Sequence, residues 1–228
     1  MSIKNNLINV LNRIDAIKNK NNVNRDITLI AVSKTYSADF VKLAIEAGQF
    51  HFGENRVQEG IEKIEAISNN QIKWHLIGHL QTNKASKAVR YYDFIHSIDS
   101  IKIAERVNHF AGEYKKIMPV FIQVNTTDEE TKSGCDPDEA DALAGFIIND
   151  CSHLKLIGLM TIGPLAGDEN KIRESFKKLS LLKKSLSDKF GNDFFNYISM
   201  GMSGDYETAI EEGATHVRIG SAIFGNRD

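Results

Sequence analysis

The chain has 228 residues, a formal net charge of −2 and a sequence pI near 6.4, with 42% apolar and 25% charged residues. This is the balance of an ordinary globular protein, and its lack of excess basic charge argues against a nucleic-acid partner. The two cysteines, Cys135 and Cys151, have no metal-ligand spacing around them and are too few for a disulfide framework, which favours a reducing compartment. No apolar run has the pattern of a signal peptide or the length of a membrane span, so we expect a soluble, cytoplasmic protein with no membrane contact.

Short β-like apolar runs alternate with longer amphipathic stretches along the chain. Apolar residues at helical spacing predict a first helix over residues 3–18, and the first strand-like run follows at 27–33. The next helix has Ser37 as its N-cap and Gly48 just past its end. Further strands are predicted at 50–53, 72–78, 93–98, 119–125, 155–161, 195–200 and 215–220. The later helices are predicted through Val57, Ile61 and Ile64, and over 83–90, 100–112, 137–149, 168–189 and 205–212.

This order of elements predicts the fold. Repeated βα units require a parallel sheet, and eight of them fit a closed barrel. We therefore predict an α/β protein, a single (β/α)8 TIM barrel forming one domain over residues 1–228, with an extra N-terminal helix that can cover the bottom of the barrel. An open doubly wound sheet is the alternative, but it usually has fewer strands and a glycine-rich first turn, and here the first turn is SKTYS.

The first strand delivers Lys34 to the end of the barrel where active sites lie. A lysine directly after an apolar strand points into the barrel mouth, where desolvation favours the neutral, nucleophilic amine. A solvated lysine at the start of a loop is the alternative, and position alone does not separate the two.

Two loops rich in glycine and serine follow the seventh and eighth strands. The segment SMGMSGD supplies Ser203, and RIGS supplies Gly220 and Ser221. Such loops can aim backbone N–H groups at an anion, and they stand at the usual phosphate site of these barrels. Either loop alone could be an ordinary turn, but the pair at the two expected places indicates a phosphate.

Arg218 lies inside an otherwise apolar run, HVRIG. A buried arginine must be paired or must contact a ligand, and an ion pair with a neighbouring strand is the structural alternative. A ligand with a phosphate, an aldehyde for Lys34 and a ring nitrogen for Arg218 would account for all three features. Pyridoxal 5'-phosphate is such a ligand.

Other polar and sulfur-containing residues have simpler interpretations. Met200 and Met202 can pack the barrel mouth, with a methionine against the cofactor ring as the functional interpretation. Four histidines fall on different strands without metal spacing on one element, so we interpret them as satisfied polar positions and expect no metal site. They are His51, His75, His79 and His96.

Motifs near the predicted strand ends resemble those of the pyridoxal phosphate homeostasis protein family, which is related to the N-terminal barrel domain of alanine racemase. They are AVSKT, FGENRVQEG, WHLIGHLQTNK, HSID, QVN, TKSG, GLMTIG and SMGMSGDYETAIEEGATHVRIGSAIFG, within residues 29–225. The resemblance implies the same barrel and pyridoxal 5'-phosphate as cofactor. Its lysine falls on Lys34, its GEN asparagine on Asn55, and its phosphate-binding residues on the Ser203 loop and Gly220-Ser221. With the arginine near the pyridine nitrogen, the cofactor-binding set is Lys34, Asn55, Met200, Ser203, Arg218, Gly220 and Ser221, and no catalytic residue is assigned.

The resemblance implies cofactor binding without an established catalytic activity. An arginine beside the ring nitrogen disfavours the protonated ring, which makes the ring a poorer electron sink. In alanine racemase a tyrosine from an additional domain supplies the second acid/base, and this chain has no room for that domain. We therefore predict a protein that holds pyridoxal 5'-phosphate as a Schiff base on Lys34 and acts in intracellular vitamin B6 homeostasis, as carrier or buffer rather than enzyme.

Two alternatives use the same lysine. One is a pyridoxal-phosphate-dependent amino-acid racemase or related enzyme, and the other is a Schiff-base aldolase acting on sugar phosphates. For the carrier we expect a monomer that contacts pyridoxal-phosphate-dependent apo-enzymes transiently, with Lys132 of the TKSG segment as an auxiliary contact during transfer.

Overall fold

The computed structural model describes residues 2–127, 129, 133–164 and 168–225. Eight parallel strands form a closed barrel in which each strand pairs with its sequence neighbours and the last pairs with the first. The strands are β1 Thr28–Val32, β2 His51–Glu54, β3 Lys73–Leu76, β4 Phe94–Ile98, β5 Met118–Gln123, β6 Leu154–Met160, β7 Tyr197–Ser199 and β8 His216–Ile219. The predicted closed barrel is confirmed, and the open sheet is excluded.

Helices form the outer layer. They are α1 Ile3–Lys20, α2 Ala38–Glu46, α3 Val57–Ile67, α4 Ala85–Tyr91, α5 Ile101–Glu113, α6 Ala140–Asp150, α7 Glu169–Phe190, α8 Tyr206–Glu211 and α9 Ser221–Phe224. The helix α2 follows Ser37, and Gly48 after it has a left-handed φ of +93°, as the sequence predicts. The helix α9 and the 3₁₀ turns Thr82–Lys84 and Asn192–Phe194 were not predicted, because such short segments contain too few residues to show a period.

The N-terminal helix α1 lies in the outer layer. It packs against α2, α8 and α9. The Asn6 amide donates to the Ile223 carbonyl at 2.9 Å, and Arg13 forms an ion pair with Glu207 at 2.7 Å. The expectation that this helix covers the bottom of the barrel is wrong. Since α9 has only four residues, it cannot cover the β8–β1 pair as a full helix would, and α1 fills the space between α2 and α8.

The core has an outer and an inner part. A large apolar cluster fills the space between the strands and the helices, and it includes Trp74, as predicted. Phe121, Ile157 and Met160 form a small separate cluster that contains the inward-facing Phe121. Several other inward positions are polar and buried, namely His75, His96, Gln123, Ser199 and Arg218. Two of them, Gln123 and Arg218, line the cavity at one end of the barrel.

Within the described part of the chain, no helix combines the length and the apolar character needed to cross a membrane.

Candidate functional site

A cavity of about 430 Å³ opens at the C-terminal ends of the strands. This volume lies within the range of small-molecule sites, roughly 300–1,000 Å³. Six of the seven residues predicted to bind a cofactor line it, namely Lys34, Asn55, Ser203, Arg218, Gly220 and Ser221. The topology brings them together because each stands at or just after the end of a parallel strand, and those ends meet at one face of the barrel.

Met200 is placed differently from the prediction. Its side chain is fully buried in the outer apolar cluster, and it does not line the cavity. Ser199 points into the barrel, and successive residues of a strand face opposite sides, so Met200 points towards the helices. Met202, two residues later, lines the cavity instead.

A buried charge cluster holds the segment that carries Lys34. The Lys63 ammonium donates to the Ser33 carbonyl at 2.6 Å, to Glu54 at 2.7 Å and to Glu59 at 2.9 Å. The Ser33 hydroxyl also donates to Glu54, at 2.6 Å. The residue before Lys34 is therefore fixed through both its carbonyl and its side chain.

The residue after Lys34 is fixed by the same cluster. Thr35 has a left-handed φ of +71°, which is an unfavourable conformation for a β-branched residue, and its backbone N–H donates to Glu59. Burial raises the pKa of the Glu54 carboxyl, and the adjacent Lys63 ammonium opposes that shift. No role was predicted for Glu54, Glu59 or Lys63, although the i,i+4 spacing of Glu59 and Lys63 on one helix was a signal for their pairing.

Asn55 is half-buried at the end of β2 and lines the cavity. Its backbone lies against Gly78, which follows β3. A Cβ atom on Gly78 would lie 2.2 Å from the Asn55 carbonyl oxygen, well inside van der Waals contact. Glycine at position 78 therefore permits the two loops to approach each other, and this approach sets the position of Asn55.

The loop after β7 meets the loop after β8 at Ser203. The backbone N–H groups of Gly220 and Ala222 point at the Ser203 hydroxyl oxygen, at 3.3 and 3.5 Å. Gly201, with a φ of +93°, allows the first loop to turn back over α8. The two loops predicted from sequence thus converge, and their hydroxyl and N–H groups suit an anionic oxygen.

Arg218 is buried at the floor of the cavity. Its guanidinium donates to the Ser199 hydroxyl and to the Thr161 carbonyl, both at 2.8 Å. In the described ranges no carboxylate lies within 4.0 Å of it, so the ion pair considered as the structural alternative is not found there. Burial lowers the pKa of Arg218 to about 10, which leaves the side chain charged at neutral pH.

Gln123, at the end of β5, is a lining residue for which no binding role was predicted from the sequence. Its amide nitrogen donates to the Ser133 carbonyl at 2.9 Å. Because a carbonyl cannot donate, this bond fixes the amide orientation, and no donor among the described residues reaches the Gln123 carbonyl oxygen. A buried acceptor without a donor costs about 1–3 kcal/mol, which suits a site where a ligand supplies the donor.

The predicted histidines divide into two groups. His79 lines the cavity, and its Nδ1 lies 3.2 Å from an Asp99 carboxylate oxygen. His51, His75 and His96 bond to one another inside the barrel, as expected for satisfied polar positions. Lys132 lies outside the described residues.

Comparison with known proteins finds similarity over the whole chain. The family model of the alanine racemase N-terminal domain matches residues 6–228. The pyridoxal phosphate homeostasis protein of Vibrio alginolyticus is 43% identical over 206 residues, which cover 89% of this chain and 87% of that protein. The Pasteurella multocida protein of the same name is 40% identical over 231 residues, which cover 100% of this chain and 99% of the relative.

Solved structures agree with this assignment. PipY of Synechococcus elongatus, in a structure described as having PLP bound, has a TM-score of 0.88 and 34% identity, with 98% of this chain and 100% of PipY covered. Alanine racemase of Clostridium difficile has a TM-score of 0.78 at 17% identity, over 98% of this chain and 57% of the racemase, which shows the shared fold alone. The chain therefore belongs to the pyridoxal phosphate homeostasis protein family, within the wider family of the alanine racemase N-terminal domain.

Proposed function

We propose that this protein binds pyridoxal 5'-phosphate as a Schiff base on Lys34 and acts in intracellular vitamin B6 homeostasis, as a carrier or buffer rather than a catalyst. The observation that carries the proposal is one cavity lined by a lysine, a buried arginine and two converging anion-binding loops. The names of the relatives and the PLP described in the PipY structure support the choice of cofactor.

The residues present fit this group. Lys34 would hold the aldehyde carbon, and Ser203 with the N–H groups of Gly220 and Ala222 would hold the phosphate. Arg218 would donate to the ring nitrogen. The carbonyl oxygen of Gln123, which no donor among the described residues reaches, would accept from a ligand hydroxyl. When bound, the group supplies a reactive aldehyde and an electron-accepting ring.

The charge of Arg218 favours a carrier. A guanidinium donates only, so it pairs with an unprotonated ring nitrogen and disfavours a second positive charge beside it. A ring kept neutral at this nitrogen stabilises negative charge at a bound amino acid weakly. The site would therefore hold the aldehyde while promoting amino-acid chemistry poorly.

The binding test is a titration with pyridoxal 5'-phosphate and with pyridoxal, which lacks the phosphate. We expect wild type to bind the phosphate ester at least tenfold more tightly, since charge-assisted hydrogen bonds contribute about 1.5–3 kcal/mol each. Ser203→Ala should reduce the ratio of the two affinities. The matched control Ser86→Ala, on α4 and bonded to Tyr114, should leave that ratio unchanged. Equal affinity for the two compounds would contradict the phosphate site.

A second candidate, a racemase or related enzyme, is favoured by the pairing of His79 with Asp99 at the cavity. An imidazole so placed could exchange a proton with a bound amino acid. Deuterium uptake at Cα of alanine tests this function, using loaded wild type and His79→Asn. If the protein is a carrier, the rate of deuterium exchange should lie far below the roughly 1–1,000 turnovers per second of ordinary enzymes. Exchange within that range, lost in His79→Asn, would favour the enzyme.

Carrier function includes three further proposals: a cytoplasmic location, a monomeric state and transient contact with pyridoxal-phosphate-dependent apo-enzymes. Cell fractionation and sedimentation test the first two. For the third, the loaded protein is mixed with an apo-enzyme while a phosphatase destroys free pyridoxal 5'-phosphate. Activation of the apo-enzyme in that mixture supports direct contact, and activation only without the phosphatase contradicts it.

A further inference from the structure

A chain of hydrogen bonds crosses the barrel interior from the cavity floor to the opposite end. Arg218 on β8 bonds to Ser199 on β7 at 2.8 Å, and the Ser199 oxygen lies 3.0 Å from Nδ1 of His96 on β4. Nε2 of His96 lies 2.9 Å from Nδ1 of His75 on β3, and Nε2 of His75 lies 3.0 Å from Nδ1 of His51 on β2. His51 begins its strand, so the chain ends at the N-terminal end of the barrel.

Burial favours the neutral form of the three imidazoles, and aromatic stacking fixes the ring planes of His75 and His96. Burial lowers the pKa of His75 and of His96 well below the usual range, and it also lowers the pKa of His51. His75 stacks on Phe94 with ring centroids 4.4 Å apart, and His96 stacks on Phe121 at 4.1 Å. Each neutral ring therefore has one N–H donor and one acceptor.

Two directions are possible for such a chain, and Ser199 selects between them. Arg218 can only donate, so the Ser199 oxygen accepts from it. If His96 also donated to Ser199, the buried Ser199 hydroxyl would have no acceptor among the described residues. If Ser199 donates to His96, the Ser199 hydroxyl and both ring nitrogens of His96 and of His75 have partners.

We propose that Ser199 and His96 are positioning residues for Arg218, in a one-way chain that runs from Arg218 through Ser199, His96 and His75 to His51. With Ser199 donating to His96, its oxygen lone pairs remain available to the Arg218 guanidinium. Ser199 and the Thr161 carbonyl hold the guanidinium through two of its five N–H groups. The other N–H groups can then meet an acceptor in the cavity. The effect on a ligand rests on the proposed function, whereas the direction of the chain does not.

The direction is tested first on the ligand-free protein by nitrogen-15 NMR of the imidazoles. The proposal predicts that His51, His75 and His96 carry their proton on Nε2. His216 is an internal contrast: it should carry its proton on Nδ1, because the Thr215 hydroxyl donates to the Ile198 carbonyl and accepts from His216. Protons on Nδ1 of His75 and His96 would mean the reverse direction and overturn the proposal.

Two variants test what sets the direction. Ser199→Ala removes the donor to His96, so His96 should lose its pure Nε2–H form. His51→Phe removes only the last acceptor, so His96 should keep that form. If Ser199→Ala leaves the His96 spectrum unchanged, Ser199 does not set the direction.

The positioning role is tested by a double-mutant cycle with pyridoxal 5'-phosphate as the probe. Ser199→Ala and His96→Phe should each weaken binding about tenfold, the loss expected for one buried hydrogen bond, and the double variant should be no weaker than either. His51→Phe should change the affinity less than about twofold, because His51 bonds to His75 and leaves the hydrogen bonds of Ser199 and Arg218 intact. Additive losses, or an equal loss in His51→Phe, would overturn the positioning role. If neither wild type nor any variant binds pyridoxal 5'-phosphate, the proposed function is wrong, while the direction of the chain found by NMR still stands.

Discussion

Lys63 donates a 2.6 Å hydrogen bond to the backbone carbonyl of Ser33, the residue that precedes Lys34. Lys63 is buried on α3, and its two carboxylate partners also bond to the segment around Lys34. The position of Lys34 therefore depends on a helix that does not itself line the cavity. This dependence makes the cluster a target for mutation.

Lys63→Met should destabilise the protein strongly. The change leaves the Glu54 carboxylate buried without its cation, and breaking a buried pair in this way costs about 3–5 kcal/mol. Urea unfolding of wild type and variant measures the loss. Lys42→Met is the matched control, because Lys42 is half exposed and, among the described residues, pairs only with the exposed Asp39. This variant should leave the unfolding midpoint unchanged. Equal midpoints for wild type and Lys63→Met would contradict the role of the cluster.

Gly78→Ala should disturb Asn55 and weaken ligand binding as well as stability. The added methyl group would lie 2.2 Å from the Asn55 carbonyl oxygen, so the backbone must move. Overpacking of this kind typically costs about 1–3 kcal/mol. Gly204→Ala is the control for stability, since its added Cβ meets nothing within 4 Å and Gly204 has no left-handed φ. Thermal unfolding that separates the two variants supports the close approach, and equal melting temperatures refute it.

Stability should fall as the pH drops below about 6.5, the usual pKa of histidine. Burial lowers the pKa of His216 to about 3 and those of His75 and His96 well below 6.5. Below pH 6.5 these histidines are protonated in the unfolded chain but stay neutral in the folded protein. Each of them therefore lowers the free energy of unfolding by about 1.4 kcal/mol per pH unit. The effect vanishes above pH 6.5, where both states are neutral.

Urea unfolding at pH 7.5, 6.5 and 5.5 measures this slope. His216→Leu should make the slope smaller, because one of the buried neutral histidines is removed. His109→Leu, an exposed position on α5, should leave it unchanged. A slope that is the same in wild type and His216→Leu would show that His216 titrates normally in the folded protein.

Arg218→Met should separate stability from binding. The guanidinium is buried without a carboxylate among the described residues, so its removal relieves a desolvation cost while breaking two hydrogen bonds. We expect the free energy of unfolding to change by less than about 1 kcal/mol, since hydrogen bonds to charged groups contribute an amount similar to the desolvation they require. The affinity for pyridoxal 5'-phosphate should fall at least tenfold. A large loss of stability at unchanged affinity would mean that Arg218 serves the fold alone.

Much of the architecture was predictable from the sequence because local patterns determine it. Alternation of short apolar runs with helical periods predicted eight parallel strands, and the barrel then placed Lys34, Ser203 and Gly220 at one end. Met200 was misplaced because the direction of a side chain depends on strand register, which a short run does not fix. The loop sequence placed Met200 and Met202 near the cavity, but it did not show which of the two faces it.

The supporting network was not predictable because it consists of long-range contacts. Lys63 and Ser33 are separated by 30 residues, and His96 and Ser199 by 103. Each residue alone fits an ordinary solvated or satisfied polar position. That the Gln123 carbonyl oxygen lacks a donor among the described residues can be recognised only when its neighbours in space are known.

Borohydride trapping determines which lysine holds pyridoxal 5'-phosphate, and Lys34 is the residue we propose. Wild type and Lys34→Ala are incubated with pyridoxal 5'-phosphate, reduced with borohydride, digested and mapped by mass spectrometry. We predict one stoichiometric reduced adduct, on the peptide that contains Lys34, and no stoichiometric adduct in the variant. An adduct on another lysine, or none in the wild type, would show that Lys34 does not hold the cofactor.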